Sequence, residues 1–341
     1  MMELLTPEKL GVLWDIGIIV LKIAVVLAVT MGHVAYATYF ERKVIAHMQV
    51  RMGPMIVGWH GLLQPIADGV KLFFKEDIIP ANADKPIFFF SPLIALMSAM
   101  TTLAVIPFFD GFIIANINIG LLFMLAMSSL GAYGIILAGW SSNSKYSFLG
   151  GMRASAQVIS YEVPMGLSLV GVMMTAGSLN IAEIVKAQHE SALGFYALPQ
   201  IIGFVVFVMS AFAETNRAPF DLPEAETELI AGYFSEYSGM RFALFFAAEY
   251  IGMFIMSSIA VLCFMGGWTI PKYVTDILPF LNAIPGIFIF MAKFYLCVFF
   301  YYWIRATLPR YRYDQFMAIA WKILIPLSLI NIVITGLLKV L

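Results

Sequence analysis

The feature that most constrains the fold of this chain is a series of long apolar runs. A helix needs roughly 20 mostly apolar residues to cross the hydrocarbon core of a bilayer. The apolar character is continuous rather than alternating at every second residue, which disfavours a β-barrel. The pattern predicts an all-α, polytopic membrane protein that forms a single membrane domain over residues 1–341. The eight predicted spans are residues 14–40, 86–108, 118–140, 156–178, 196–213, 242–265, 284–304 and 317–340.

Composition excludes several other classes of protein. Hydrophobic residues make up 61% of the chain and charged residues 12%, whereas a soluble domain is about 45–50% apolar and about 25% charged. The net charge of -1 offers no basic field for nucleic acid. The two cysteines cannot hold an iron–sulfur cluster, which needs about four thiolates, and the four scattered histidines lack ligand spacing. We therefore predict no metal site on this chain.

The distribution of basic residues predicts the orientation in the membrane. With the N-terminus outside, the inner segments carry 13 of the 20 Lys and Arg residues, the outer segments carry 4, and the other 3 fall within spans. Positive loops face the cytoplasm in membrane proteins. The count predicts a multi-pass protein of the cell inner membrane with both termini on the outer, periplasmic side.

Residues 61–75, in a long inner segment, read as an amphipathic helix. Polar side chains recur at helical spacing on one face, and apolar side chains cover the other. Such a helix can lie in the plane of the lipid headgroups, or it can pack on its own bundle. The polar face comprises Gln64, Asp68, Lys71 and Lys75, and the apolar face comprises Leu62, Ile66, Val70 and Phe73.

The acidic residues are concentrated in one stretch. Seven of the 21 lie within 36 residues, in or next to a predicted cytoplasmic loop at 214–240: Glu214, Asp221, Glu224, Glu226, Glu228, Glu236 and Glu249. Two glutamates, Glu162 and Glu249, lie inside predicted spans, where an ionisable group is by default a functional candidate. Close carboxylates in a poorly hydrated place retain protons and can pass them on. The alternative for the loop residues is an ordinary solvated surface.

Arginines form a second set near the predicted inner face. Snorkelling at the membrane interface is one interpretation of these residues. Fixed pairing with carboxylates is the other, because the planar guanidinium suits it better than an ammonium does. For Arg217, which is close in sequence to Glu214 and Asp221, we expect pairing. The set comprises Arg42, Arg51, Arg217, Arg305 and Arg310.

Several long blocks resemble one known family, the ND1-type membrane subunit of the proton-pumping NADH:quinone oxidoreductase, respiratory complex I. The resemblance runs from about residue 14 to 340 in the family's order. The blocks are Glu41-Arg-Lys43, Gln49-Val-Arg-Met-Gly-Pro54, Leu63-Gln-Pro-Ile-Ala-Asp-Gly-Val-Lys71, Ala156-Gln-Val-Ile-Ser-Tyr-Glu-Val-Pro164, Ala213-Glu-Thr-Asn-Arg-Ala-Pro-Phe-Asp-Leu-Pro-Glu-Ala-Glu-Thr-Glu-Leu229, Glu236-Tyr-Ser-Gly239, Ala248-Glu-Tyr250 and Arg305-Ala-Thr-Leu-Pro-Arg310.

The resemblance implies a function. In this family the ND1-type chain joins the peripheral arm to the membrane arm and forms much of the quinone tunnel. It carries no redox centre, since FMN and the iron–sulfur centres lie on partner subunits, so we expect quinone as substrate and no catalytic residue here. Its partners are hydrogenase-like quinone-site subunits, small membrane subunits and antiporter-like subunits. The tunnel entrance lies beside the first span and the amphipathic helix, which makes residues 61–75 a candidate gate.

The resemblance also implies roles for individual residues. The quinone chamber would be lined or braced by Arg42, Asp68, Arg217, Phe220 and Asp221. An acidic proton path would comprise Glu162, Glu214, Glu224, Glu226, Glu228 and Glu249. Interface or structural charges would be Glu41, Arg51, Glu236, Arg305 and Arg310.

Two alternatives stay open at this point. One is a homologous component of a membrane-bound hydrogenase or another electron-input complex. The other is a stand-alone ion transporter with a buried acid relay. The block Pro219-Phe-Asp-Leu-Pro-Glu224 and the complete amphipathic helix favour the quinone-linked branch.

Overall fold

Helices account for the regular structure of the protein. A computed structural model describes residues 7–191, 194–221, 231–277, 280 and 283–340. Within these residues the only bridge between extended segments is an isolated pair, Phe109 and Phe112, so the predicted all-α class is confirmed. The helices are α1 (Pro7–Met48), α2 (Gln64–Phe74), α3 (Lys85–Thr102), α4 (Gly120–Ser141), α5 (Lys145–Ala176), α6 (Ile181–Glu190), α7 (Ile201–Glu214), α8 (Gly239–Phe264), α9 (Lys272–Ile277), α10 (Gly286–Thr307), α11 (Tyr313–Ile319) and α12 (Ile325–Val340).

Seven helical segments in the described part of the chain are long and apolar enough to cross a membrane. They are Trp14–Met48, Lys85–Val105, Gly120–Ser141, Lys145–Ala176, Gly239–Phe264, Gly286–Thr307 and Tyr313–Val340. These correspond to seven of the eight predicted spans. The predicted fifth span, 196–213, is present as α7, an apolar helix of 14 residues. At 1.5 Å per residue α7 is about 21 Å long, shorter than the roughly 30 Å hydrocarbon core.

Two helices extend well beyond the predicted bounds. Helix α1 has 42 residues and is about 63 Å long, so Glu41 and Arg42 lie on its last turns rather than in a loop. Helix α5 begins at Lys145 rather than 156, which puts Glu162 in mid-helix and not near a helix start. The prediction was wrong there because polar residues of the early turns are buried between helices: Ser147, Ser155 and Gln157 are each at most 7% exposed.

Small residues let the helices approach one another closely. Cα of Gly139 on α4 lies 3.2 Å from the position that a Cβ at Gly151 of α5 would occupy. A Cβ at Gly150 would lie 2.7 Å from Cα of Gly232, in a 3-10 turn that precedes α8. Close contact between backbones replaces the hydrophobic effect as the source of helix association in lipid. These contacts hold α4 and α5 against the turn that leads into α8.

Substitution at Gly150 should test this packing. Gly150→Ala places a methyl group 2.7 Å from backbone atoms that cannot move independently, and overpacking of this kind costs about 1–3 kcal/mol. We expect less assembled protein and a lower thermal midpoint, measured on the complex isolated from membranes by native electrophoresis and a thermal shift assay.

Gly166→Ala is the matched control on the same helix, because its nearest new contact would be Leu125 Cδ1 at 3.8 Å. Alanine is also the better helix former, by about 1 kcal/mol. Equal assembly and equal midpoints for both variants would contradict the close-packing interpretation.

Candidate functional site

Four residues from distant parts of the chain form a buried ionic cluster, which we call the Glu41 cluster: Glu41, Arg217, Tyr250 and Arg305. Glu41 is 4% exposed and Arg217 is 8% exposed. Glu41 Oε1 accepts hydrogen bonds from Arg217, at 3.4 Å, and from Arg305, and Glu41 Oε2 accepts from the Tyr250 hydroxyl at 2.6 Å. The Arg217 guanidinium also lies over the Tyr250 ring, 4.2 Å from its centroid. The cluster joins α1, the α7–α8 connection, α8 and α10.

The turn that carries Arg217 is fixed by one side chain of α5. Gln157 Nε2 lies 2.8 Å from the Ala213 carbonyl oxygen, 3.0 Å from Asn216 Oδ1 and 2.9 Å from the Phe220 carbonyl oxygen. Gln157 is fully buried. These contacts tie the backbone at both ends of the segment to α5, which favours one geometry of the turn. We call residues 213–220 the Gln157 turn.

Phe220 is the last residue of the Gln157 turn, and its ring packs against three other aromatic rings. Its ring centroid lies 5.7 Å from that of Tyr161, 5.7 Å from that of Tyr311 and 4.9 Å from that of Phe316. The Tyr161 hydroxyl donates to the Phe316 carbonyl oxygen at 2.8 Å. Phe220 is 4% exposed, so it is held by α5, α11 and the segment before α11.

Arg42 and Asp68, both predicted chamber residues, are brought together by the fold. Arg42 Nη1 lies 2.9 Å from Asp68 Oδ2, and Lys71 Nζ lies 3.7 Å from Asp68 Oδ1. The polar face of α2 therefore contacts α1. Its apolar face is exposed, with Ile66, Val70 and Phe73 each more than half exposed. This geometry favours the first interpretation of the amphipathic helix, an apolar face turned away from the protein's own bundle.

Three predicted proton-path glutamates lie around α4 and α8. The consecutive hydroxyls of Ser128 and Ser129 on α4 donate to Glu214 and Glu162, respectively. Tyr233 donates to Glu249 Oε1 at 3.1 Å. These short polar contacts place Glu162 and Glu214 next to each other on one side of α4.

A cavity of about 100 Å³ lies between α3, α4, α5 and α8, and we call it the glutamate cavity. Glu214 and Glu249 both line it, together with the hydroxyl side chains of Ser98, Thr102, Ser128 and Tyr233. A cavity of this size has room for several water molecules, since one needs only about 10–15 Å³. Carboxyl groups that share water in such a space can exchange protons.

The other predicted site residues differ in exposure, and three of them lie outside the described residues. Asp221 follows the Gln157 turn and is half-buried, Glu236 is half-buried, and Arg310 is exposed. Arg51 is exposed and donates to Gln49 Oε1 at 2.8 Å. Glu224, Glu226 and Glu228 lie outside the described residues.

Sequence reasoning missed several members of the site. The expected pairing of Arg217 is confirmed, and one partner, Glu41, lies 176 positions earlier, which the sequence did not indicate. Gln157 and Tyr250 lie inside the blocks that carry the family resemblance, which was the available signal for them. Nothing in the sequence distinguished Ser128, Ser129 and Tyr233 from ordinary helix and loop residues.

Comparison with known proteins finds relatives that match nearly the whole length of this chain. Residues 21–336 match the family model described as NADH dehydrogenase. The chain is 53% identical over 326 residues to the NADH-quinone oxidoreductase H chain of Rhodospirillum rubrum, covering 96% of this chain and 95% of the relative. The corresponding protein of Rickettsia typhi is 52% identical, covering 95% and 94%, and one from Geobacter metallireducens is 51% identical, covering 93% and 94%.

The chain belongs to the family of NADH-quinone oxidoreductase H subunits, the ND1-type membrane subunits of complex I. The resemblance noted in the sequence is confirmed. The seven apolar helices of spanning length in the described residues agree with a multi-pass membrane protein. In the part of the chain that the structure describes, no three His, Cys, Asp or Glu side chains converge to hold a metal ion.

The Glu41 cluster should be essential for stability. Glu41→Gln removes the charge that Arg217 and Arg305 share, and breaking a buried ion pair by removing one partner costs about 3–5 kcal/mol. We expect a strongly reduced amount of assembled complex, measured by quantitative immunoblot after native electrophoresis, and a lower thermal midpoint for what remains.

Asp314→Asn is the control, because Asp314 is 68% exposed and pairs with the 80% exposed Arg312 at 3.3 Å. An exposed pair contributes about 0–1 kcal/mol, so assembly should be close to normal. A Glu41→Gln complex as abundant and as thermostable as the Asp314→Asn complex would show that the buried cluster is dispensable.

Proposed function

We propose that this chain is the membrane component of a proton-pumping NADH:quinone oxidoreductase that binds the quinone and couples its reduction to proton translocation. The observation that carries the proposal is the position of the Gln157 turn. Glu214 lines the glutamate cavity, and Arg217, three residues later, belongs to the Glu41 cluster. A single turn therefore carries both a residue of the predicted quinone chamber, Arg217, and a residue of the predicted proton path, Glu214.

The proposed topology is that of the family. All eight predicted spans cross the inner membrane, with α7 as the short fifth span and both termini on the periplasmic side. The chain is one membrane domain, and the acidic loop at 214–240 faces the cytoplasm. Helix α2 lies in the plane of the headgroups, which is supported by its three exposed apolar side chains, Ile66, Val70 and Phe73.

The proposed quinone chamber is bounded by Arg42, Asp68, Arg217, Phe220 and Asp221. The Arg42–Asp68 pair ties α2 to α1, so a movement of α2 would open or close the space between them. The quinone is the substrate, and the chain itself contributes binding and positioning. NADH, FMN and the iron–sulfur centres would act on partner subunits, which supply the electrons.

Reduction of a quinone to a quinol takes up two electrons and two protons. A reduced, negatively charged intermediate in the chamber would attract the buried guanidinium of Arg217 and weaken its hold on Glu41, since charges at about 4–6 Å interact strongly. Any shift of Arg217 is transmitted along the Gln157 turn to Glu214. The proton distribution over Glu214, Glu162 and Glu249 would then change, and Glu224, Glu226 and Glu228 would extend this path.

The proposed partners follow from this role. The peripheral arm supplies hydrogenase-like subunits at the quinone site, small membrane subunits receive the proton path, and antiporter-like subunits lie beyond them. The relatives named above are all NADH-quinone oxidoreductase subunits, which favours this complex over a membrane-bound hydrogenase or a stand-alone transporter.

Glu214→Gln tests the proton path. The amide keeps the size of the side chain and its contact with Ser128 but cannot exchange a proton, so we expect at least a tenfold loss of both quinone reduction and proton pumping. The measurement uses the purified complex in liposomes, with assembly checked by native electrophoresis and mass spectrometry of its subunits. Glu228→Gln is expected to behave in the same way.

The control is Glu190→Gln, an exposed carboxylate at the end of α6, which should leave turnover and pumping unchanged. An assembled Glu214→Gln complex with wild-type turnover and pumping would remove Glu214 from the path. If the purified protein instead transported ions in liposomes without partner subunits, the complex I proposal itself would be wrong.

Ile66→Asp tests the gate. Ile66 is 57% exposed on the apolar face of α2, and a charge there would oppose entry of a long isoprenoid tail. We expect a higher KM for long-tailed quinones and little change for short, soluble ones, measured on the assembled complex.

Ile119→Asp is the matched control, an isoleucine of similar exposure (50%) that immediately precedes α4 and is remote in sequence from α2. It should affect neither quinone. Equal losses for long and short quinones in assembled Ile66→Asp complex would contradict a gate.

A further inference from the structure

The C-terminal end of α2 rests on the first turn of α8. A Cβ at Gly239, the first residue of α8, would lie 3.0 Å from the Lys75 carbonyl oxygen and 3.6 Å from that of Leu72. Gly239 also has a φ of 54°, so both the space and the backbone geometry favour glycine there. The Ser238 hydroxyl donates to the Glu76 carbonyl oxygen at 3.2 Å. We call this contact the α2–α8 joint, which comprises residues 72–77 and 237–241.

An ion pair extends the α2–α8 joint beyond the end of α2. Arg241 Nε lies 3.0 Å from Asp77 Oδ2, and the Arg241 side chain is only 15% exposed. Its guanidinium carbon, Cζ, lies 5.5 Å from the ring centroids of both Phe88 and Phe89, near the start of α3. Water screens a guanidinium in such a place less than it screens a surface charge. The pair therefore holds the segment that follows α2 against α8.

The α8 side of the joint is itself packed firmly on α3. The Tyr237 ring stacks on that of Phe88 with 4.0 Å between centroids, and the Tyr237 hydroxyl donates to the Phe88 carbonyl oxygen at 3.4 Å. Tyr237 is 6% exposed and Phe88 is fully buried. Residues 236–239 are one of the blocks that carry the family resemblance, and three of them, Tyr237 to Gly239, build this support. The fixed side of the joint is therefore α8 and α3.

Helix α2 depends on contacts at its ends, because none of its own residues is buried. Its ion pair with α1 uses Arg42, whose side chain is 52% exposed, and water weakens a pair of that kind. The segment before α2 is held to α1 by the Tyr39 hydroxyl, which donates to the His60 carbonyl oxygen at 2.8 Å. Helix α2 thus crosses from α1 to α8, and the α2–α8 joint fixes its far end.

We propose that Arg241, acting through Asp77, is a positioning residue for quinone entry. The pair fixes the C-terminal end of α2 and so keeps the exposed apolar side chains of that helix, Ile66, Val70 and Phe73, where a long isoprenoid tail enters. Neither member of the pair touches the quinone, since both act through the placement of α2. This inference rests on the proposed role of α2 as a gate, and it identifies the contact that holds the gate in place.

Asp77→Asn in the purified, assembled complex tests the pair, because it removes the charge and keeps the size of the side chain. We expect the KM for a long-tailed quinone to rise at least fivefold, while kcat and the KM for a short, soluble quinone stay within twofold. We also expect amide hydrogens of residues 64–75 to exchange at least threefold faster, measured by mass spectrometry. Asp77→Glu, which keeps the charge, should restore most of both properties.

A pair of glycine variants tests the joint without changing any charge. Gly239→Ala forces the start of α8 away from the end of α2 and should give the same selective rise in KM for the long-tailed quinone. Gly69→Ala is the matched control on α2 itself, because a Cβ there meets nothing within 4 Å, and it should leave both KM values unchanged. Native electrophoresis verifies assembly, and either Asp77→Asn or Gly239→Ala decides the matter if the other does not assemble.

Ile66→Asp, measured alongside, separates failure of this inference from failure of the gate. If Ile66→Asp raises the KM for the long-tailed quinone and assembled Asp77→Asn does not, the positioning role is wrong and the gate remains. If Ile66→Asp has no selective effect, the gate is wrong and the positioning role falls with it, whatever the exchange rates. Unchanged amide exchange in α2, or equal losses for long and short quinones in Asp77→Asn, would also overturn the positioning role.

Discussion

The pairing of Glu41 with two arginines is the interaction on which the rest of the site depends. A carboxylate that is 4% exposed can keep its charge only if opposite charges and hydrogen bonds replace water. Arg217, Arg305 and Tyr250 do this from three other segments. Because these partners come from far apart in the sequence, satisfying one charge fixes the relative positions of α1, α8, α10 and the Gln157 turn.

The Gln157 turn connects the Glu41 cluster to the glutamate cavity. One end of the turn, Glu214, lines the glutamate cavity, and Arg217 belongs to the Glu41 cluster. Gln157 holds both ends of this short segment through backbone acceptors. A turn held at both ends by hydrogen bonds can transmit a displacement that an unsupported loop would absorb. The proposed coupling of quinone chemistry to proton transfer depends on these hydrogen bonds.

Much of the fold and part of the site could be predicted from the sequence. Span positions follow from apolar length alone, so seven of eight correspond to helices of spanning length. The Arg42–Asp68 pair was named because both residues lie in family blocks, and the fold brings them to 2.9 Å. The start of α5 was misjudged because buried serines imitate a loop in a hydropathy profile. Glu41 was assigned to the interface or structural charges without a named partner, since no sequence pattern reveals a partner 176 positions away.

The sequence by itself determined that this chain is helical, belongs in a membrane and concentrates its acids near residues 214–249. These properties follow from local composition. Each spanning helix forms its backbone hydrogen bonds within its own segment, so each apolar run can be recognised in the sequence without reference to the others. Only the tertiary structure decided which charges meet and where cavities lie. Burial of Glu41 and the sharing of one cavity by Glu214 and Glu249 both arise between helices. Contacts of that kind depend on packing in three dimensions, which local composition does not encode.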